Sequence, residues 1–151
     1  GLPLESAAPT PVATTYAASG FDRSLLLDPT QVQRALDAGH LLLDARAGAR
    51  FRGESEPLDK AAGHVPGARN RPYVENLEGA RFKPAAQLAR EYRALLGSRD
   101  PTQVIAMCGS GVTACHLLLA MEHAGLHGAK LFTGSWSGWI EDPARPVATG
   151  D

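Results

Sequence analysis

Residues 104–114 read Val-Ile-Ala-Met-Cys-Gly-Ser-Gly-Val-Thr-Ala, and this segment predicts a strand, a loop and a helix. Its first four residues are a continuous apolar run, which is typical of a strand buried on both faces of a sheet. The two glycines allow a tight turn, and the spacing of apolar residues over 112–124 then predicts a helix. Cys108 therefore lies where a buried strand ends and a glycine loop begins.

The same alternation of strands and helices continues on both sides of this stretch. Asp28 as N-cap, Pro29 as first helical residue and Gly39 after the last turn delimit a helix. The remaining elements are an apolar run over 25–27, strands over 41–45 and 129–132, a helix over 84–96, a short turn or helix over 135–140, and a loop over 46–67. This alternation predicts an α/β fold with a parallel sheet covered by helices on both faces.

The position of Cys108 indicates its chemistry. In parallel α/β sheets, ligands bind beyond the carboxyl ends of the strands. A glycine loop leaves main-chain N–H groups free to converge on one point, and the following helix directs its positive end there. A sulfur at that point is stabilised as a thiolate, and the same groups stabilise a persulfide anion or an oxyanion. A buried cysteine with a structural role is the alternative, and we adopt it for Cys115, one turn into the helix.

Five segments, taken in order and spacing, carry a resemblance to a known family. They are Asp44-Ala45-Arg46, Arg50–Glu54, Gly63–Ala68, Cys108–Ala114 and Gly134–Trp139. The sequence resembles the rhodanese family over nearly all of residues 20–150. The resemblance implies a rhodanese-like fold with a central five-stranded parallel sheet, helices on both faces, and a catalytic cysteine in a six-residue loop.

The residues after Cys108 bear on the sulfur donor. Family members that prefer thiosulfate, a dianion, place basic side chains there, whereas this loop has Gly109 and Ser110 and resembles that of the mercaptopyruvate sulfurtransferases. Loss of two adjacent cations disfavours a dianion more than a monoanion. The resemblance implies that a Cys108 persulfide carries sulfur from 3-mercaptopyruvate to a small thiol, a protein thiol such as thioredoxin, or cyanide, and that pyruvate is released. Thiosulfate as donor is the alternative.

The resemblance also assigns roles to individual residues. Cys108 and Ser110 are the expected catalytic residues. The expected substrate-binding residues are Arg50, Gly109, Gly111, Val112, Thr113 and Lys60, and the expected supporting residues are Asp44, Arg46 and His64. Lys60 enters because many relatives have a second arginine where this shorter segment reads Glu56-Pro57-Leu58-Asp59-Lys60. A lysine is a point charge and does not reproduce the guanidinium fork.

Several other classes of function are disfavoured. The net charge of −1 gives no support for nucleic-acid or membrane binding, and no apolar run approaches the roughly 18 to 20 residues of a membrane span. His116, His123 and His127 lack further cysteines or carboxylates at ligand spacing, so we expect no metal and no cofactor. Rhodanese-like phosphatases need a longer loop ending in arginine, where this chain has Ala114. Non-catalytic rhodanese modules that bind partners often lose the cysteine, which this chain keeps.

Residues 1–20 are rich in Ala, Pro, Thr and Ser, without apolar periodicity. We interpret them as an inter-domain linker or extended arm, and residues 21–151 as the catalytic rhodanese domain. Residues 1–6 resemble the tail that closes a rhodanese domain, which predicts an inactive rhodanese domain ahead of this one. The two cysteines, Cys108 and Cys115, are poorly placed for a disulfide and suit a reducing compartment, so we expect a cytoplasmic location.

Overall fold

A five-stranded parallel sheet forms the centre of the computed structural model, which describes residues 6–8, 10–18, 20 and 22–151. The strands are, in chain order, β1 (Leu26–Leu27), β2 (Leu41–Asp44), β3 (Arg69–Asn70), β4 (Leu77–Glu78), β5 (Arg81–Phe82), β6 (Val104–Met107) and β7 (Lys130–Phe132). The order across the sheet is β1-β7-β6-β2-β3, with every pair parallel. Strands β4 and β5 form a separate antiparallel hairpin.

The helices cover both faces of the sheet, as predicted. They are α1 (Pro29–Asp37), α2 (Gly48–Phe51), α3 (Ala85–Leu96), α4 (Ala114–His123) and α5 (Ser135–Trp139). One apolar cluster joins α3 and α4 to the face of the sheet that carries Leu43 and Ala106. A second cluster joins α1 and α5 to the opposite face, which carries Leu42 and Ile105. Burial of both faces explains why the central strands are continuous apolar runs.

The local signals at the start of α1 act as expected. The Asp28 carboxylate accepts the main-chain N–H of Gln31 at 2.8 Å, and the Gln31 side chain accepts the N–H of Asp28 at 2.8 Å. This reciprocal pair satisfies two N–H groups that have no partner within the helix. After the helix ends, Gly39 has a φ of +83°, which glycine adopts without the steric cost of a Cβ.

The centre of the sheet brings two strand ends together. All residues of β2 and β6 are buried, and in their register Leu43 pairs with Ala106 and Asp44 with Met107. Because the two strands are parallel and in step, the segments that follow Asp44 and Met107 leave the same edge of the sheet side by side. The loop carrying Cys108 therefore adjoins the loop that follows β2.

The structure corrects the element boundaries in three places. The loop predicted over 46–67 contains the one-turn helix α2, which is too short to show a period. The helix predicted from residue 112 begins at Ala114, because the loop extends further. Strand β3 and the hairpin β4–β5 were not predicted, since strands of two residues carry no alternation.

The N-terminal arm contains no helix or strand in the part that the structure describes, and the side chains of residues 10–18 are exposed. Of the expected domain-closing tail, residues 1–6, all but the last residue lie outside the described residues. The linker assignment therefore stays a prediction. Among the described helices, none combines the length and apolar character that crossing a bilayer requires.

Candidate active site

Cys108 follows β6 directly and is held through its main chain by the start of α5. Its N–H donates to Ser135 Oγ at 3.1 Å, and its carbonyl accepts the N–H of Trp136 at 3.0 Å. Ser135 is fully buried and has a φ of +48°, which is uncommon outside glycine, and its hydroxyl donates to the carbonyl of Phe132 at 2.9 Å. Both peptide groups of the cysteine are thus fixed by a segment 27 residues away.

The loop after Cys108 presents main-chain N–H groups with no protein acceptor. Across the described residues, none of the N–H groups of residues 109–113 donates to a main-chain or side-chain acceptor. Gly111 has a φ of +87°, and helix α4 begins directly after Thr113. Five consecutive unpaired donors ahead of a helix N-terminus form a suitable binding region for an anion.

A cavity of about 500 Å³ opens over this loop. It is lined by Ala45, Arg46, Ala47, Arg50, Leu58, Asp59, Tyr73, Cys108, Gly109, Ser110, Thr113 and Ser137. The structure therefore places Cys108, Ser110 and Arg50, three of the expected site residues, around one cavity. Only about 2% of Cys108 is exposed, so this residue lies at the bottom of the cavity, whereas Ser110 is exposed at its side.

Three predicted substrate-binding residues do not line the cavity. Gly111 is a buried residue of the loop, and a Cβ built there would lie 2.8 Å from the carbonyl oxygen of Thr133. Val112 projects outward and is 76% exposed, so only its N–H remains a candidate contact. Lys60 lines a second cavity with residues 140–143, 145 and 147, and the structure does not support it as a replacement for the second arginine.

Arg50 lies in the cavity wall but is already paired with two carboxylates. Its Nη2 is 2.7 Å from Glu56 Oε1 and 3.1 Å from Asp59 Oδ2, and its Nε donates to both oxygens of Glu56. Burial acts to raise the pKa of Glu56, but hydrogen bonds from Arg50 and from the N–H groups of Leu58 and Asp59 outweigh it and lower that pKa. Glu56 therefore stays charged at neutral pH.

Arg46 and Asp44, expected to support the site, form a buried ion pair. Arg46 Nη2 lies 2.7 Å from Asp44 Oδ2 and donates to the carbonyl of Gly63 at 2.7 Å. The guanidinium also lies over the ring of Trp136, 4.7 Å from its centroid. This arrangement ties the end of β2 to the loop before β3 and to α5.

His64 also holds loops in place. Its Nδ1 lies 2.8 Å from the carbonyl oxygen of Phe51, and the two rings are stacked with centroids 3.8 Å apart. The main chain of His64 pairs with Ala148 in both directions. These contacts attach α2 and the C-terminal segment to the site, which supports a structural role.

Two residues without an assigned role in the sequence are central to the cavity. Ser137 donates its hydroxyl to Asp59 Oδ1 at 2.7 Å or to the carbonyl of Gly109 at 2.9 Å. Asp59 and Ser137 are 78 residues apart, so no local pattern could reveal the contact.

Cys115, interpreted as a structural cysteine, is instead exposed on α4 with its Sγ 3.5 Å from the carbonyl oxygen of Gly111.

Comparison with known proteins decides the family. A family model described as the rhodanese-like domain matches residues 28–142. The chain belongs to the rhodanese family. This confirms the family and fold predicted from the five motifs.

Curated relatives and solved structures agree with this membership. A probable 3-mercaptopyruvate sulfurtransferase of Pseudomonas aeruginosa is 52% identical over 132 residues, covering 86% of this chain and 46% of the relative. A putative thiosulfate sulfurtransferase, SseB, of Mycobacterium tuberculosis is 43% identical over 122 residues, covering 78% and 41%. The crystal structure of Tum1 from Saccharomyces cerevisiae matches with a TM-score of 0.71 at 26% identity, covering 87% of this rhodanese domain and 49% of that chain. The chain spans about half the length of the curated relatives that it matches.

Proposed function

We propose that this rhodanese domain transfers sulfur from 3-mercaptopyruvate, through a persulfide on Cys108, to a thiol acceptor or to cyanide. The observation that carries the proposal is the position of Cys108 in the lining of a cavity, beside a loop with five main-chain N–H groups free of acceptors among the described residues. The name of the Pseudomonas aeruginosa relative supports the same reaction.

The proposed reaction proceeds in two steps, formation of the persulfide and its transfer to the acceptor. The Cys108 thiolate attacks the thiol sulfur of 3-mercaptopyruvate, a sulfur–sulfur bond forms, and the carbon–sulfur bond breaks with its electron pair moving onto carbon. The resulting enolate takes up a proton and leaves as pyruvate. A second thiolate then attacks the outer sulfur, which restores the Cys108 thiolate and yields the acceptor persulfide. Cyanide in the same position yields thiocyanate.

The cavity can stabilise the charge that moves in these steps. The N–H groups of residues 109–113 stabilise the sulfur anion, and the exposed hydroxyl of Ser110 is available to the keto oxygen as enolate character develops. Arg50 supplies the guanidinium that binds the donor carboxylate. These roles of Cys108, Ser110, Arg50, Gly109 and Thr113 are part of the proposal.

The charges of the cavity wall favour a monoanionic donor. Arg46, Arg50 and Asp59 line the cavity. The buried carboxylates of Asp44 and Glu56 do not line it, but they pair with the two guanidinium groups. The loop itself adds no cation, so a dianion such as thiosulfate finds less compensation than a carboxylate. Thiosulfate remains the second candidate donor, because the Mycobacterium tuberculosis relative bears that name.

The wider setting of the reaction belongs to the proposal as well. We propose thioredoxin or a small thiol as the acceptor, an inactive rhodanese domain ahead of this one, and a cytoplasmic location. The free thiols of Cys108 and Cys115 support a reducing compartment.

The test compares two cysteine variants of the intact protein. Pyruvate release from 3-mercaptopyruvate and sulfite release from thiosulfate are measured with cyanide as acceptor. We expect Cys108→Ser to lower pyruvate release by at least about 10³-fold, since an alcohol is a poor nucleophile without a dedicated base. Cys115→Ser is the matched control, because this exposed thiol lies in the first turn of α4, close to Cys108 in the chain, and we expect the wild-type rate.

Three results would contradict parts of the proposal. Wild-type rates for Cys108→Ser would remove this cysteine from the mechanism. A higher kcat/KM with thiosulfate than with 3-mercaptopyruvate would overturn the donor. Inactivity of the intact wild-type protein with both donors would favour a non-catalytic binding module.

A further inference from the structure

Asp59 accepts a hydrogen bond from the guanidinium of Arg50. In the proposed function this guanidinium binds the carboxylate of the donor. An arginine offers one pair of N–H donors along its Nε–Nη2 edge and a second pair along its Nη1–Nη2 edge. In Arg50, Glu56 takes the first pair through Nε at 3.0 Å and Nη2 at 2.7 Å. The remaining N–H of Nη2 belongs to the second edge, and Asp59 Oδ2 lies 3.1 Å from that nitrogen.

The second edge of Arg50 faces the catalytic loop. A Cβ built at Gly109 would lie 3.7 Å from both Nη1 and Nη2, so this edge adjoins the residue after Cys108. Nη1 donates to no acceptor among the described residues. Of the two nitrogens that could grip a carboxylate beside the thiol, one is therefore open and the other carries Asp59.

The hydroxyl of Ser137 keeps a hydrogen-bond acceptor even when Asp59 moves away from it. The hydroxyl of Ser137 has one hydrogen and two acceptors in reach, Asp59 Oδ1 at 2.7 Å and the carbonyl of Gly109 at 2.9 Å. If Asp59 moves away, the hydroxyl turns to the Gly109 carbonyl, which the N–H of Ser137 already contacts at 2.9 Å. The loss of one hydrogen bond is thereby offset by another.

We propose that Asp59 is an internal competitor for the donor carboxylate and determines the specificity of the site for donor charge. In the empty site Asp59 takes one of the two nitrogens that Arg50 directs at the loop. The donor carboxylate displaces it and binds both nitrogens, while Ser137 turns to Gly109. The displaced Asp59 remains at the cavity wall, where its charge opposes a dianion more strongly than a monoanion. This inference rests on the proposed function.

The test uses Asp59→Asn in the intact protein. The amide keeps the shape of the carboxylate and can still contact Arg50 and Ser137, but it lacks the charge. We expect KM for 3-mercaptopyruvate to fall about three- to tenfold with kcat within about twofold of wild type. KM for thiosulfate falls by a larger factor, since the dianion is repelled more. The dissociation constant of pyruvate, measured by calorimetry without turnover, falls by the same factor as KM for 3-mercaptopyruvate.

Glu54→Gln is the matched control. Glu54 lies five residues before Asp59 and its side chain is 55% exposed, paired with Arg52 outside the cavity. It removes the same charge from the same segment without touching Arg50. We expect unchanged KM values and unchanged pyruvate binding.

Each outcome decides the inference. An unchanged or higher KM and pyruvate dissociation constant in Asp59→Asn overturns it. If that variant does not fold, Ser137→Ala decides instead, because loss of the hydroxyl releases one hold on Asp59; a smaller fall in both constants supports the inference, and no fall overturns it. If the intact wild-type protein turns over neither donor, the proposed function fails, and pyruvate binding alone then tests the competition by Asp59.

Discussion

Replacement of Arg46 by methionine tests the account of the buried ion pair. The side chain of Arg46 is 1% exposed, that of Asp44 is fully buried and that of Glu56 is 3% exposed. Arg46→Met keeps most of the apolar stem but removes the guanidinium that lies over Trp136, leaving the Asp44 carboxylate buried without its partner and the carbonyl of Gly63 without a donor. Loss of one member of a buried pair costs about 3–5 kcal/mol.

Urea denaturation followed by circular dichroism measures this cost. With a slope of about 2 kcal/mol/M, a loss of 3–5 kcal/mol lowers the unfolding midpoint by about 1.5–2.5 M. Arg52→Met is the control, since the Arg52–Glu54 pair lies at the surface where solvent screens it, and its midpoint should match wild type within error. The double variant Asp44→Asn, Arg46→Met should recover part of the loss, because the unpaired charge is gone.

A shift of less than about 0.5 M for Arg46→Met would refute this reasoning. It would mean that the carboxylate of Asp44 is compensated by water or by a neighbour and that the pair does not stabilise the end of β2. A double variant that is less stable than Arg46→Met alone would likewise contradict the role given to the unpaired charge.

Two further predictions concern the loop and the hairpin side of the molecule. Gly111→Ala places a Cβ 2.8 Å from the carbonyl oxygen of Thr133, at a residue whose φ is +87°. We therefore expect urea denaturation to show a stability loss of roughly 1–2 kcal/mol or more, and kcat to fall at least about tenfold because the loop N–H groups reorient. A wild-type kcat would contradict this prediction. Burial acts to raise the pKa of Glu91, but hydrogen bonds from Arg71, Lys83 and Gln87 lower it to about 2. A carboxyl group whose pKa is lowered in the folded state stabilises the fold at pH values above its pKa in the unfolded chain, and this stabilisation is lost as the pH falls towards 2. Glu91→Gln should therefore be less stable than wild type at pH 7 and approach wild-type stability near pH 2–3, as measured by thermal unfolding across pH. An equal loss of stability at both pH values would contradict this prediction.

The parts of the site that the sequence predicted are those encoded within one segment. The run before Cys108, the glycines after it and the helix that follows are contiguous, so the sequence alone places the strand end, the loop and the helix next to one another. The same holds for α1, whose capping residues Asp28 and Gln31 are three apart. Boundaries failed where elements were one turn or two residues long, as in α2 and β3, because such elements have no measurable period. The start of α4 also differed from the prediction, because the loop extends to Thr113.

The parts that the sequence did not reveal come from long-range contacts. Ser135 belongs to the Gly134–Trp139 motif, yet the hydrogen bond that its Oγ accepts from the N–H of Cys108 depends on the approach of α5 to β6. Lys60 stood nearest to the place expected for a second cation, but the chain directs it into a different cavity. In its place the segment supplies Leu58 and Asp59, an apolar group and a negative charge, to the wall over Cys108.

The amino-acid sequence alone specified the parallel α/β layers, the position of the thiol at a strand end and the family, because periodicity, glycine placement and motif order are properties of the linear chain. The ion pairs of the cavity, in contrast, follow from the folded arrangement of the chain. The pairing of Arg50 with Glu56 and Asp59, and of Asp59 with Ser137, depends on distances between side chains that the fold brings together, and electrostatic energy falls with those distances rather than with separation along the chain.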